Sequence, residues 1–300
     1  MNDRVHARLT EYGRFLRLSF VLAAPGLTPA GFFLAGGDWT KCPPYAFVSL
    51  AGAALFASIF AETGFPAAET EGISRSTKTT VRAASFLLTM LFSSFRPETF
   101  TAAMLILLTA LAAPKIASVT FLGAACTALR FVFLTALGMT LVPLTGMKSF
   151  LPYADVFAAG IFFYIYGLEE ARGLKSLRPA VRPGGLPLLL GAGVCYLTVF
   201  FRLGRMEFHG FTSYFCGVLA AVSAGLFFIF SWKAWRVFRQ KSLPGIAKRW
   251  TDGLRLGLFF IEAAVAAAAG LWSVTLFLLA AAAAARFLHS YLESEAENGV

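Results

Sequence analysis

The residues able to do chemistry in this chain are few, and most are carboxylates. Glu62, Glu69 and Glu71 fall close together in FAETGFPAAETEG, and the pair Glu169-Glu170 stands in YGLEEARG. Carboxylates gathered at two such places supply hard oxygen ligands for Mg²⁺ and, through it, a hold on a diphosphate. The competing reading is solvated charge that balances basic neighbours, and on spacing alone that reading is favoured. Arg75, Lys78 and Arg82 follow the first acidic group. Arg130 and Glu262 lie inside apolar runs, with Asp252 and Arg255 at the start of one. An ionisable group in a membrane interior costs at least ~2.5–3.5 kcal/mol on insertion scales, so such groups are functional or paired. The planar fork of Arg130 suits a diphosphate or a carboxylate. The alternative is a structural pair with Glu262 or Asp155. Arg255 is expected only to reach back to the surface along its own long stem.

Other reactive groupings are missing. The sequence holds no GxSxG, HExxH, P-loop or strand-linked GxGxxG. Its three histidines, His6, His209 and His289, are scattered. Cys42, Cys126, Cys195 and Cys216 form no CxxC pair and read as small packing residues.

The elements that must position these residues follow from composition. Of 300 residues, 58% are hydrophobic and 14% charged, against about 25% charged in a soluble domain. A soluble chain of this size has too little interior to hide so much apolar surface. The expected fold is therefore an all-α polytopic membrane protein, one transmembrane domain over 1–300, with an N-terminal segment at 1–14 and an acidic tail at 290–300. Nine spans are expected, near 15–36, 44–62, 80–95, 98–113, 116–138, 150–168, 184–202, 211–232 and 253–288. The last is long enough for two helices hinged near Gly270, which would make ten. Placing the N-terminus in the cytoplasm leaves only Lys41, Arg96, Lys148, Arg202, Arg205 and Arg286 outside, and Arg130 and Arg255 within helices. The other 18 of 26 basic residues then lie inside, as positive-inside bias requires. The net charge of +10 is thus a topology signal, and nucleic acid is not an expected partner. The expected location is an integral, bacterial inner-membrane one. Three long loops, 63–79, 169–183 and 233–252, fall on the cytoplasmic side and are where a site is expected.

This order of features resembles the UbiA-type intramembrane prenyltransferases. The first expected helix, RLSFVLAAPGLTPAGFFLAGG, carries Arg17, Pro25 and Gly31 in the family's manner. APKIASVTFLGAACTALRFVFLTALGM is similar to the family's fourth-to-fifth helix region, matching Lys115, Gly123, Arg130 and Gly138. GLEEARGLKSLRPAV resembles the family's second loop. The texture of the fifth and sixth helices, and of PGIAKRWTDGLRLGLFFIEAA, is closest to the EboC-like branch. The departures are in the acidic signatures. NDxxDxxxD falls on Thr63, Gly64, Ala67 and Glu71, and DxxxD on Ile165 and Glu169, so one carboxylate survives in each.

The resemblance implies helices around a central cavity, and a membrane lipid or polyprenyl diphosphate as ligand. If catalytic, it implies Mg²⁺-dependent alkyl transfer to an unknown acceptor. Glu71 and Glu169 would be Mg²⁺ ligands with Glu62, Glu69 and Glu170 as helpers, and Arg75, Lys78 and Arg130 would face the diphosphate. Phe162, Phe163, Tyr164 and Tyr166 either line an isoprenoid channel or are ordinary core and lipid-facing residues. A second expectation is a non-catalytic member of the same fold that binds or moves a lipid-like metabolite. A third is an unrelated small-molecule transporter, which predicts two similar halves; no repeat relates 1–150 to 151–300.

Overall fold

The computed structural model describes residues 21, 23–63, 73–116, 120–142, 151–173, 185–206, 209–240 and 253–298. Glu69, Glu71, Arg17 and the segment 1–14 lie outside the described residues. Among the described residues every regular element is helical. A 3₁₀ turn at Ala24–Gly26 leads into α1 (Leu27–Leu34). There follow α2 (Pro44–Thr63), α3 (Arg75–Ser93), α4 (Pro97–Ile116), α5 (Thr120–Met139), α6 (Leu151–Gly173), α7 (Leu186–Leu203), α8 (Gly210–Gln240), α9 (Leu258–Ala268) and α10 (Trp272–Asn298).

Local chemistry sets several starts. Pro44 and Pro97 open α2 and α4, where a missing N–H costs nothing. Ser74 caps α3, its hydroxyl accepting from the Thr77 amide at 3.1 Å. That cap starts α3 at Arg75, so Arg75, Lys78 and Arg82 belong to its first turns and not to a loop.

Five helices, α2, α4, α5, α7 and α8, are long and apolar enough to cross a bilayer. Only 33% of the most apolar window of α7, and of α8, is buried. The rest presents large apolar side chains outward, among them Leu190, Leu197, Phe200, Phe211, Val218 and Ile229. Such a surface is stable only against lipid. At the far end of α8, Trp232 and Trp235 pack 5.2 Å apart and the Arg236 guanidinium sits 5.5 Å from the Trp232 ring. Aromatic and basic residues placed together in this way mark a bilayer interface.

Successive helices pack side by side, and α1 packs between α5 and α9. Helices α1 and α9 are short, and nearly every side chain on each is buried. Helices apolar on all faces belong in an interior. Close contacts there use small residues. Gly31 of α1 lies against the Thr135 carbonyl and Gly138 of α5 against the Thr28 carbonyl. The Thr28 hydroxyl donates to the Leu134 carbonyl at 3.0 Å. Gly160 and Gly191 play the same part between α6 and α7, beside buried Cys195. All four cysteines are free, as expected of packing residues.

The expected ninth span, 253–288, is not one helix. It breaks at Gly270, whose φ of +81° an L side chain rarely adopts. Helix α10 then folds back along α9, so that Phe259 and Leu256 pack with Ala282 and Ala285. Arg286 therefore comes level with Gly253, at the start of the α9 region, and not at the opposite end as a nine-span path requires. Open space surrounds Gly270, so Gly270→Ala carries only the conformational penalty. It is expected to lose about 1–2 kcal/mol, read as a lower denaturant midpoint in detergent.

Candidate functional site

Three buried charged residues and one partly buried glutamate form a chain. Arg130, midway along α5, donates through Nη2 to Glu62 Oε1 at 2.8 Å. The other Glu62 oxygen, Oε2, lies 3.8 Å from Arg255 Nη1. Arg255 in turn donates through Nη2 to Glu169 Oε1. Glu62, Arg130 and Arg255 are each at most 4% exposed. The order Arg130–Glu62–Arg255–Glu169 alternates in sign and sums to zero.

The fold places these side chains from four elements. Glu62 is the penultimate residue of α2, and Glu169 stands one turn before the end of α6. Arg255 sits in a helical turn at 253–256 ahead of α9. Tyr164, wholly buried on α6, fixes that turn by donating to the Leu254 carbonyl at 2.8 Å. Arg255 is thereby delivered to Glu169, five residues further along the same helix. The chain of charges thus lies where α2 and α6 end and α9 begins, the end from which the three long loops leave.

This geometry changes several expectations. Arg130 pairs with Glu62; Asp155 is exposed and Glu262 lies elsewhere. Arg255 does not reach for the surface. It is 3% exposed and joins two glutamates drawn from the two acidic groups. Its signal in the sequence was a lone basic residue opening an apolar run that also carries Glu262. Glu170, beside Glu169, is half-buried. Arg75 is exposed at the start of α3, and Lys78 is half-buried one turn on. Arg82 packs over the Phe60 ring at 4.9 Å. Tyr164 is core, Phe163 is on the exterior, and Phe162 stacks with Tyr166 at 6.1 Å.

The donor set bears on Mg²⁺. Among the described residues no three Asp, Glu, His or Cys side chains gather to hold a metal. Glu62 and Glu169 are already neutralised by guanidinium groups, and two guanidinium groups within the cluster repel a dication. The described residues do not by themselves compose a Mg²⁺ site.

A second feature lies apart from the charges. A cavity of about 600 Å³ opens between α1, α2, α9 and α10. Phe47, Leu50 and Ala51 of α2 and Phe277, Ala281 and Ala285 of α10 are among its lining residues. Its walls are almost wholly apolar, with Phe33, Phe47, Phe259 and Phe277 among them, and one buried carboxyl, Glu262, in the wall. This is the size and character of a small-molecule site.

Fold and site together define an all-helical integral membrane protein with a buried charge chain and an apolar side cavity. Compared with family models, curated proteins and solved structures, the chain matches none.

Proposed function

We propose that this protein binds a lipid-like molecule of isoprenoid character, non-catalytically, in the cavity between α1, α2, α9 and α10. The cavity itself carries the reading. It is large enough for a lipid chain, and its walls, drawn from α1, α2, α9 and α10, are almost wholly apolar. A lipid entering there exchanges one apolar surrounding for another and gains close packing. On this reading the helices sit in a bilayer as a UbiA-like assembly. The N-terminus, the charge chain and the loops after α2, α6 and α8 face the cytoplasm, and the doubled α9–α10 segment returns Arg286 to that side.

The test is binding of geranylgeraniol to purified protein in nanodiscs. Ala281→Phe, which fills the cavity from α10, is expected to weaken binding at least about tenfold, or 1.4 kcal/mol. Equal affinity for the two proteins would remove the cavity from the account.

A second reading, prenyl transfer, has one specific observation behind it: Glu62 and Glu169, from the two acidic groups, meet at Arg255. In that reaction the bond from the allylic carbon to diphosphate breaks, and diphosphate leaves with the electron pair. The acceptor bonds to that carbon and loses a proton. Pyrophosphate release from geranylgeranyl diphosphate is the assay. The binding reading expects none with any acceptor, and release would displace it.

A further inference from the structure

Glu262 has no role in the charge chain. It stands near the middle of α9, 2% exposed, and neither carboxyl oxygen has a hydrogen-bond partner among the described residues. No basic side chain among them forms an ion pair with it; Arg130 and Arg255 are engaged with Glu62 and Glu169. The carboxyl is pressed against Gly26, the last residue of the 3₁₀ turn, where a Cβ would overlap it. Glycine at this point leaves the carboxyl its place in the cavity wall.

An apolar cavity needs no carboxyl to hold an apolar chain. A buried carboxyl without a partner stays protonated to avoid the cost of an isolated charge, and ionises only where something supplies a positive partner. Two hydroxyls share the lining: that of Thr28 already donates to the Leu134 carbonyl, and Ser273 is exposed on α10, so Glu262 is the buried polar side chain of the lining left without a partner among the described residues. The site therefore offers a long apolar surface and one unfilled carboxyl, with no basic side chain among the described residues paired to it.

We propose that the cavity selects lipophilic amines: an apolar chain lies along α10, and a protonated amine at its head pairs with the Glu262 carboxylate. This rests on the lipid-binding reading and names the head group that reading leaves open. A neutral alcohol of the same chain length makes the same apolar contacts but leaves the acid without a counter-charge. An anionic lipid is disfavoured at the same point.

The experiment uses the full chain in zwitterionic nanodiscs and measures equilibrium binding of dodecylamine and dodecanol, with empty nanodiscs as the blank. The amine is expected to bind at least about tenfold more tightly than the alcohol, a difference of 1.4 kcal/mol. Glu262→Gln, nearly the same shape, is expected to abolish that preference. Gly26→Ala, which displaces the carboxyl from its seat, is expected to reduce the preference with the acid still present. Equal binding of amine and alcohol to the unmodified protein, or an amine preference that survives Glu262→Gln, overturns the proposal and leaves lipid binding standing. Binding of neither probe overturns both. A melting curve of Glu262→Gln close to that of the unmodified protein shows that the change acts on the ligand and not on folding.

Discussion

Glu62→Ala is expected to lose about 3–5 kcal/mol of stability, the cost of leaving a buried charge without its partner. The measurement is equilibrium unfolding in mixed micelles. Glu62 lies between two guanidinium groups and is the carboxylate within ion-pair distance of Arg130 among the described residues. Glu169→Ala is expected to cost less. Its side chain is 12% exposed against 4% for Glu62, and Arg255 keeps Glu62 within 3.8 Å when Glu169 is gone. The double variant Glu62→Leu with Arg130→Leu is expected to be milder than Glu62→Ala alone. Both charges then leave together, and Arg255 remains paired with Glu169. A Glu62→Ala protein that unfolds at the unmodified midpoint would show that the chain of charges contributes nothing. A double variant as damaged as the sum of its singles would show that the two do not act as a pair.

The same four residues show how far the sequence could be read. Apolar runs located most of the described helices, because lipid demands long apolar segments. The hinge at Gly270 was visible as an interruption in a run too long for one span. What it does to the path was not visible, since only the fold brings Arg286 level with Gly253. Buried ionisable residues could be picked out individually, Arg130 and Glu262 among them, because their cost is local. Their partners could not, because partnership depends on which helices are neighbours. Arg130 meets Glu62 across 68 residues of chain, and Arg255 meets Glu169 across 86. Nothing in the spacing of either pair announces the contact. The cavity was still less legible. Its walls come from α1, α2, α9 and α10, and a space between helices far apart in sequence has no signature in any one of them.

Gly138→Ala is expected to be the most damaging of the small-residue changes, at or above the upper end of the about 1–3 kcal/mol that overpacking costs. A methyl group there would fall on the Thr28 carbonyl oxygen. That atom belongs to the backbone of α1 and cannot rotate away, so the two helices must separate. Separation also strains the bond from the Thr28 hydroxyl to Leu134 and the reciprocal seat of Gly31 against Thr135. Gly225→Ala in α8 is the control. A Cβ there meets open space, and the change is expected to be neutral or to gain up to about 1 kcal/mol from helix propensity. The two substitutions are chemically identical, so a difference between their unfolding midpoints isolates the α1–α5 contact. Because Pro29 and Phe33 of α1 line the cavity and Gly26 backs Glu262, the effect is expected to reach the ligand as well. Gly138→Ala should weaken dodecanol and dodecylamine alike, whereas loss of the Glu262 carboxyl should remove the preference between them. A Gly138→Ala protein with unchanged affinity for both would mean that α1 can shift without reshaping the cavity, and that α2, α9 and α10 alone determine its fit.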